Sequence, residues 1–341
     1  MACFNLSNMH VDERIDLLVR LGAYMNSDDD AWQAAQRKAF AENHWFIPEF
    51  ITLSVHNIVQ QFLQYEVLKK LLATYQVREE NNHPKKVGLV LAGNIPLVGF
   101  HDVLCTFLTG HIAVIKPSSK DAALIKHLVQ KLIEWNNEAA RYLVFQDLLK
   151  GCDAYIATGS NNTGRYFDYY FRNHPTIIRK ARTSVAILTG GETEKELESL
   201  ADDVYQYFGL GCRNVTQLYV PHDYDFVPLL EAFKKYNWTI NHNKYKNNYD
   251  YNLAIHLLNN KKYMTNGSIL LIEDASPFSP ISQLHFQYYE DLKKLQERLL
   301  NNESIQCVIG ERLPFGAAQC PTLTDFADGV DTMAFLKSLD R

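Results

Sequence analysis

The chain has 341 residues, of which 47% are hydrophobic and 21% are charged, a composition typical of globular enzymes and binding proteins. This length suits two closely joined domains. The formal net charge is −5 and no long block of Lys and Arg is present, which argues against a nucleic-acid-binding function.

The N-terminus has no basic segment followed by an uninterrupted apolar core, so it does not resemble a secretory signal. The longest apolar tract, residues 87–115, is interrupted by Asn94, His101 and His111, which would be costly to bury in lipid. We therefore expect a cytoplasmic protein without a membrane span. The six cysteines include no CxxC pair and the histidines are not clustered, so we expect neither a disulfide framework nor a metal site.

Residues 11–76 have the spacing of apolar residues expected for amphipathic helices. The polar stretch VREENNHPKK that follows indicates a boundary near residue 85. We expect residues 1–85 to form a helical segment that packs on the next domain.

From residue 86 the pattern changes to buried strands that alternate with helices. The strand-like runs are KVGLVLAGN, HIAVIKP, CDAYIATGS, TIIRKA and TSVAILTGG. This alternation predicts a parallel, doubly wound α/β sheet, in which ligands bind at the carboxyl ends of the strands.

The remaining sequence repeats this theme. A helix with a capping box from Thr193 to Glu196 precedes three further strand-like runs, NVTQLYV, GSILLIE and SIQCVIG. We therefore predict two α/β units, joined near residues 180–190.

Residues Gly159 to Gly164 form a glycine-bounded turn between a strand and a helix. Such a turn can hold a phosphate group through its backbone N–H groups and the helix dipole. The spacing resembles that of a nucleotide triphosphatase loop, but Arg165 and Tyr166 stand where that loop needs Lys and Ser or Thr. A capped surface turn remains the alternative.

Two other strand ends carry polar residues. Lys116, with Ser118 and Ser119 after it, offers charge and room for the 2′-phosphate of an adenosine ribose, although a lysine here can also be simply solvated. Asn94 can donate a hydrogen bond to an oxyanion, or it can cap the helix that begins near Pro96.

Cys212 follows Gly209 and Gly211 at the junction of a helix and a strand, beside Arg213. Glycines allow a sharp turn and a close approach of the backbone, so a thiol here can serve as a nucleophile. The alternative is a structural cysteine at a tight packing point.

Taken in order, these motifs resemble the aldehyde dehydrogenase superfamily, and within it the fatty acyl-CoA reductases of bacterial luminescence operons (LuxC type). The resemblance covers about residues 86–320. It rests on the following motifs in this order: AGNIP, TGHIAVIKPS, TGSNNTG, LTGG, GLGC, SPFSP and PFG.

The resemblance implies an aldehyde-dehydrogenase-like fold and a role for each matching residue. Cys212 corresponds to the nucleophile, and Asn94 donates to the oxyanion together with the backbone N–H of Cys212. The residues implied to bind a nicotinamide cofactor are Lys116, Ser118 and Ser119 at the adenosine ribose, Gly159, Ser160 and Gly164 at the pyrophosphate, and Gly190 and Phe278 near the nicotinamide end.

The chain also departs from the superfamily pattern. Leu188 aligns with the general-base Glu of the dehydrogenases, so we expect an apolar residue in place of the base beside Cys212. Ser276 replaces a Glu that contacts the nicotinamide ribose. The stretch VREENNHPKK leaves little room for the arm through which aldehyde dehydrogenases oligomerise, so the oligomeric state stays open.

The resemblance implies a cofactor domain over residues 86–186, a catalytic domain over 187–315 and a C-terminal tail over 316–341. We expect the enzyme to reduce an acyl-CoA to an aldehyde through an acyl-cysteine, with NADPH as cofactor and NADH as the alternative. The acyl group can come from coenzyme A, from an acyl-protein or from an acyl-transferring or acyl-activating enzyme. The alternatives are an aldehyde oxidiser, a cofactor-free cysteine acyltransferase or acyl-carrying partner, and a non-catalytic nucleotide-binding regulator.

Overall fold

Helices form the N-terminal part of the chain, in a computed structural model that describes residues 8–159 and 161–340. Their ends follow from local sequence: the first helix has a capping box of His10 and Glu13, the second is capped by Asp29, and the third begins at Pro48. Their buried faces share one hydrophobic core with the first sheet. The helices are α1 (Val11–Met25), α2 (Asp30–Glu42), α3 (Pro48–Gln61) and α4 (Tyr65–Tyr75).

The first sheet has five parallel strands in the order β3-β2-β1-β4-β5. Its strands are β1 (Lys86–Val90), β2 (Ile112–Lys116), β3 (Leu143–Phe145), β4 (Ala154–Thr158) and β5 (Thr176–Arg179). The connecting helices are α5 (Phe100–Leu108), α6 (Ala123–Trp135) and α7 (Asn161–Phe171), with a short 3-10 helix (Asn137–Arg141) before β3. The order of the strands reverses at β1, because β2 and β3 lie on one side of it and β4 and β5 on the other. Doubly wound sheets bind ligands at this point, between β1 and β4.

The second sheet has the order β11-β6-β7-β10-β9-β8, and only the short β8 runs antiparallel to its neighbour. The strands are β6 (Thr183–Ile187), β7 (Val215–Val220), β8 (Met264–Thr265), β9 (Leu270–Glu273), β10 (Gln283–Tyr288) and β11 (Ile305–Ile309). The helices are α8 (Glu194–Tyr205), α9 (Phe226–Ala232), α10 (Asn243–Leu258) and α11 (Leu292–Leu300), with 3-10 segments at Gln206–Gly209 and Phe233–Asn241. The prediction of two doubly wound α/β domains with a helical lead-in is therefore confirmed.

The boundaries between the two units differ from those expected. The second unit comprises Ala181–Cys320, and the described residues on either side of it form the first unit. β6, which the sequence placed in the cofactor domain, pairs with β7 and β11 of the second sheet. The expected boundary at residue 186 is therefore too late in the chain.

The C-terminal segment is not one separate tail. Residues 316–320 belong to the second unit, whereas residues from Pro321 onward belong to the first, where they form α12 (Thr332–Ser338). Arg179, at the end of β5, donates to Thr332 (2.8 Å) and to the carboxylate of Asp102 (2.6 Å). This buried ion pair and the core contacts of α12 hold the segment on the first unit.

Candidate functional site

Cys212 lies in a tight turn just before β7. The backbone N–H of Asn214 donates to the carbonyl of Gly211 (3.1 Å), and the N–H of Gly211 donates to the side-chain Oδ1 of Asn214 (2.8 Å). Ser184, near the start of β6, donates its hydroxyl to the carbonyl of Cys212 (3.1 Å). Hydrogen bonds on both sides therefore fix the backbone that carries the partly exposed thiol.

The chain reaches this turn through three consecutive residues with left-handed backbone, Tyr207 (φ 54°), Phe208 (φ 55°) and Gly209 (φ 74°). For the two aromatic residues this conformation costs about 1–2 kcal/mol each. Both are buried, and Phe208 packs against His242 and Tyr245. Packed aromatic residues, and not glycines alone, thus produce the sharp turn that the sequence analysis attributed to Gly209 and Gly211.

Leu188 lies at the opposite edge of the second sheet from Cys212. β6 and β7 run parallel, with Ser184 paired to Val215 and Ile187 paired to Tyr219. Leu188, which donates its N–H to the carbonyl of Tyr219, is therefore about 13 Å further along the strand than Ser184. The expectation that Leu188 stands beside the thiol in place of a general base is wrong.

Gly190 lies at the same distant edge. Its N–H donates to the carboxylate of Glu192 (3.1 Å), which also accepts the N–H of Thr189 (2.5 Å). Gly190 has φ 88°, so it serves a tight turn before α8. Because its donor is already used and it lies far from the thiol, the structure does not support the predicted role of Gly190 near the nicotinamide.

Phe278 lies in the segment that returns the chain from the end of β9 to the start of β10. Thr216, at the Cys212 end of β7, donates its hydroxyl to the carbonyl of Pro277 (2.5 Å). Phe278 itself is 42% exposed. Cys212 and Phe278 are thus held at the same edge of the second sheet.

The segment that contains the PFG motif is anchored next to Cys212. The carboxylate of Asp203 in α8 accepts the N–H groups of Gly316 (2.7 Å) and Ala318 (2.8 Å), and Arg213 donates its Nε to the carbonyl of Ala318 (2.5 Å). Burial raises the pKa of Asp203 to about 6, although these two hydrogen bonds partly offset the shift. Asp203 and Arg213 therefore hold the backbone of residues 316–318 close to the Cys212 turn.

In the first unit, the loop that carries Asn94 is fixed by two buried side chains. Leu97 is left-handed (φ 57°) and donates its N–H to the carboxylate of Asp121 (2.7 Å), while Ser54 donates to the carbonyl of Pro96 (2.7 Å). Burial raises the pKa of Asp121 well above its usual range. The next helix, α5, begins at Phe100 with Gly99 as its N-cap, so Asn94 is not a helix cap.

The predicted ribose residues lie at the carboxyl edge of the first sheet. Lys116 ends β2 and is exposed, as is Ser119, and Ser118 is half-buried. A Cβ added to Gly93, after β1, would come within 2.5 Å of the Ser118 hydroxyl. Glycine at this position therefore lets the loops after the adjacent β1 and β2 approach closely.

Gly159 follows β4 at the same edge, directly before α7. Its N–H donates to the carbonyl of Arg179 (3.1 Å) and so extends the hydrogen bonds between β4 and β5 by one residue. A Cβ added to Gly159 would come within 3.1 Å of Thr163 and Phe167. Because its N–H is already used, Gly159 contributes only the absence of a side chain at the start of an 11-residue helix, the kind of position at which a pyrophosphate group can bind. Ser160 lies outside the described residues.

Gly164 is the fourth residue of α7, and a Cβ there would come within 3.3 Å of the Lys180 side chain. It therefore allows close packing, and does not itself point to a phosphate contact. The loops with the predicted ribose residues and with Gly159 follow β2 and β4, which flank β1 in the first sheet, so they share the edge at which doubly wound sheets bind dinucleotides.

The sequence analysis missed Ser184, Asn214, Asp203 and Asp121, which position the two loops. Each stands next to another polar residue in the sequence, so its neighbours do not mark it as buried, yet all four are buried. Among them only Asn214 carried a local signal, because Asn two residues after a glycine-flanked cysteine is typical of a turn.

Within residues 8–159 and 161–340, no helix combines the length and the apolarity needed to cross a membrane. In the same part of the chain, no three or more His, Cys, Asp or Glu side chains are grouped as a metal site would require.

Comparisons with known structures identify the fold. The chain is similar to a putative aldehyde dehydrogenase from Burkholderia cenocepacia, with a TM-score of 0.60 and 13% identity over 84% of this chain and 71% of that one. It is also similar to a Mycobacterium tuberculosis aldehyde dehydrogenase in complex with NAD+, with a TM-score of 0.62 and 13% identity over 84% of this chain and 70% of that one.

A third similar structure is the succinic semialdehyde dehydrogenase of Streptococcus pyogenes in complex with NADP+, with a TM-score of 0.64 and 12% identity over 88% of this chain and 76% of that one. At such low identities these similarities establish an aldehyde-dehydrogenase-like fold alone. No curated protein sequence matches the chain at a significant level.

The family is established by sequence. Residues 20–228 match the family model described as "Acyl-CoA reductase (LuxC)", a match that includes β1 to β7, Asn94 and Cys212. This match covers more than half of the chain and agrees with the resemblance found in the motifs. The chain therefore belongs to the LuxC family of acyl-CoA reductases, and it has an aldehyde-dehydrogenase-like fold.

Proposed function

We propose that this protein reduces an acyl-CoA thioester, with a fatty acyl group, to the aldehyde through an acyl-Cys212 intermediate. The observation that carries the proposal is the fixed, partly exposed turn of Cys212 in a chain that belongs to the acyl-CoA reductase family. A thiol on a fixed backbone keeps its angle of attack, which favours covalent catalysis.

In the proposed first half-reaction, the thiolate of Cys212 attacks the thioester carbonyl. A bond forms between Sγ and the carbonyl carbon, and the bond from that carbon to the sulfur of coenzyme A breaks, so that coenzyme A leaves as the thiolate. The N–H of Cys212 and the side-chain amide of Asn94 are assigned to stabilise the oxyanion.

The second half-reaction needs a hydride at the acyl carbon, which a reduced nicotinamide would supply when bound. Cys212 then leaves as the thiolate when the thiohemiacetal collapses to the aldehyde. We assign Lys116, Ser118 and Ser119 to the adenosine ribose and Gly159 to the pyrophosphate. NADPH is proposed as the preferred cofactor because Lys116 and the small serines leave charge and room for a 2′-phosphate.

An aldehyde-oxidising function is the first alternative, and it needs a base that activates water beside the thiol. Asp202 and Asp203, the carboxylates nearest to Cys212 along the chain, are both engaged. Asp202 binds Lys235 and Tyr236, and Asp203 accepts two backbone N–H groups. Neither of these two carboxylates is therefore available as that base.

The proposal is tested by incubating the purified protein with acyl-CoAs of different chain length and with NADPH or NADH, and by measuring aldehyde and free acid. We expect aldehyde from the wild type and none from Cys212→Ala. Cys307→Ala is the matched control, because Cys307 is a buried residue of β11.

Loss of aldehyde formation in Cys307→Ala, or its persistence in Cys212→Ala, contradicts the mechanism. Acyl labelling of Cys212 without binding of either cofactor instead supports a cofactor-free acyltransferase. Labelling by an acyl-protein but not by acyl-CoA identifies a protein as the acyl donor.

A further inference from the structure

Asn214 joins two parts of the second unit through a single buried side chain. Its Nδ2 group donates to three carbonyls at the end of α8, those of Gln206 (2.8 Å), Asp203 (3.1 Å) and Val204 (3.3 Å). Its Oδ1 accepts the N–H of Gly211 (2.8 Å), directly before Cys212. The side chain is fully buried.

The backbone of Asn214 holds the same region from the other side. Its carbonyl accepts the N–H of Ser184 in β6 (3.1 Å), and its N–H closes the turn onto Gly211 (3.1 Å). Ser184 in turn donates its hydroxyl to the carbonyl of Cys212. One residue thus connects the end of α8, the Cys212 turn and the neighbouring strand.

These hydrogen bonds hold in place the strained backbone segment that leads from α8 to the Cys212 turn. Between α8 and Gly211, Tyr207 and Phe208 hold a backbone conformation that L-residues avoid. Such a conformation persists only where the surroundings fix both of its ends. The amide of Asn214 binds on both sides of the strained segment, at the end of α8 before it and at Gly211 after it.

The helix end also explains why an amide is needed here. The last carbonyls of an α-helix lack partners within the helix and carry partial negative charge. An amide supplies donors to these carbonyls and, on its other atom, an acceptor to Gly211. A carboxylate would supply the acceptor but would repel the carbonyls, and an apolar residue would supply neither.

We propose that Asn214 is the positioning residue that orients the Cys212 turn for acyl transfer. This inference rests on the proposed function, since it concerns how the nucleophile is held. Without the amide, the turn still carries a reactive thiol, but the thiol and the Cys212 N–H are no longer aligned with one thioester carbonyl. Misplacement of a reacting group by about 1 Å costs on the order of a hundredfold in rate.

The test compares Asn214→Ala with Asn252→Ala. Asn252 is also a buried asparagine of the second unit, and its side chain donates to the carbonyl of Ile281 (3.0 Å) and to no residue of segment 207–214. Four quantities are measured on each folded full-length variant: hydrogen exchange of segment 207–214, the rate of iodoacetamide alkylation of Cys212, and kcat and KM with acyl-CoA.

For Asn214→Ala we expect faster exchange in segment 207–214 and an alkylation rate at least equal to that of the wild type, because a small reagent needs no fixed orientation. We expect kcat to fall about tenfold or more at an unchanged KM. Asn252→Ala should leave exchange in this segment, alkylation and kcat unchanged.

Equal losses of kcat in both variants, or wild-type kcat and exchange in Asn214→Ala, overturn the proposal. If Asn214→Ala does not fold, Asn214→Ser replaces it, because a neutral hydroxyl keeps some hydrogen-bonding capacity at this buried position while the two-sided contact of the amide is lost. If the wild type is alkylated at Cys212 but never acylated, the proposed function fails, and hydrogen exchange alone then decides the role of Asn214.

Discussion

The hydroxyl of Ser184 donates a 3.1 Å hydrogen bond to the carbonyl of Cys212. This contact places the first residues of β6 beside Cys212, the proposed nucleophile. Since β6 and β7 are parallel, the far end of β6, with Leu188, lies at the other edge of the sheet. A residue that stands beside Cys212 where a dehydrogenase has its general base must therefore lie near the Ser184 end of β6. Leu188 lies at the other end.

Leu188→Glu should therefore not convert the protein into a thioesterase. Leu188 is fully buried, so we expect the substitution to lower the free energy of unfolding by several kcal/mol, through the cost of burying a carboxyl group. The ratio of free acid to aldehyde should equal that of the wild type. Product analysis with acyl-CoA and NADPH checks this.

Because Leu188→Glu is expected to be unstable, Leu188→Ala serves as a second variant. It should lose about 2–5 kcal/mol of stability through the cavity it creates, again with an unchanged product ratio. A rise in acid release in the Glu variant alone would mean that position 188 does reach the acyl-cysteine.

Much of the fold was predictable because buried parallel strands have distinct sequences. β1, β2, β4, β7 and β9 are runs of apolar residues bounded by glycine or polar turns, and the sequence analysis identified each of them. β10 was missed although it lies inside the second sheet, because its sequence QLHFQY contains several polar residues. Two of these polar side chains form hydrogen bonds within the second unit, Gln283 with the ring of His256 and His285 with the carbonyl of Ser276.

The candidate site was less predictable, because long-range contacts decide it. The motif order led to the choice of Cys212 and Asn94, whose roles stay predictions. It could not locate Leu188, whose position depends on the register between β6 and β7. Nor could it assign residues from Pro321 onward to the first unit, since this depends on contacts such as that between Arg179 and Thr332.

Asn94→Ala should lower turnover by about two to three orders of magnitude, the usual loss for one oxyanion donor. Asn94 is half-buried and does not cap α5, so we expect little effect on stability. The measurement is single-turnover acylation of Cys212, together with a thermal unfolding curve. Asn57, a partly buried residue of α3, provides the matched control as Asn57→Ala. Turnover in Asn94→Ala within threefold of the wild type would remove Asn94 from the mechanism.

Ser119→Glu should penalise NADPH selectively. Ser119 is exposed after β2, next to the proposed ribose site, and a carboxylate there would repel a 2′-phosphate. We expect kcat/KM for NADPH to fall while that for NADH is retained or rises. Steady-state kinetics with both cofactors provide the measurement, and Ser338→Glu, at the end of α12, provides a control for added surface charge. A wild type that prefers NADH strongly would contradict the assignment before any substitution is made.

The stability of the second unit should depend on the ionisation of Asp203. Burial raises its pKa to about 6, from the 3.8 that is usual for an aspartate in an unfolded chain. An acid whose pKa is higher in the folded state binds its proton more tightly there, so its contribution to stability falls as pH rises from about 4 to about 6. At about 1.4 kcal/mol for each pKa unit, the contribution falls by roughly 3 kcal/mol over this window.

Asp203→Asn removes this titration while it keeps one acceptor for the N–H groups of Gly316 and Ala318. The variant should be less stable than the wild type near pH 4, because its amide cannot accept both hydrogen bonds. The difference should shrink as pH rises to 6 and then stay constant, because the ionised carboxylate costs the wild type stability. Denaturant unfolding of both proteins from pH 4 to pH 7 measures the difference, and a difference that is independent of pH would show that Asp203 titrates normally.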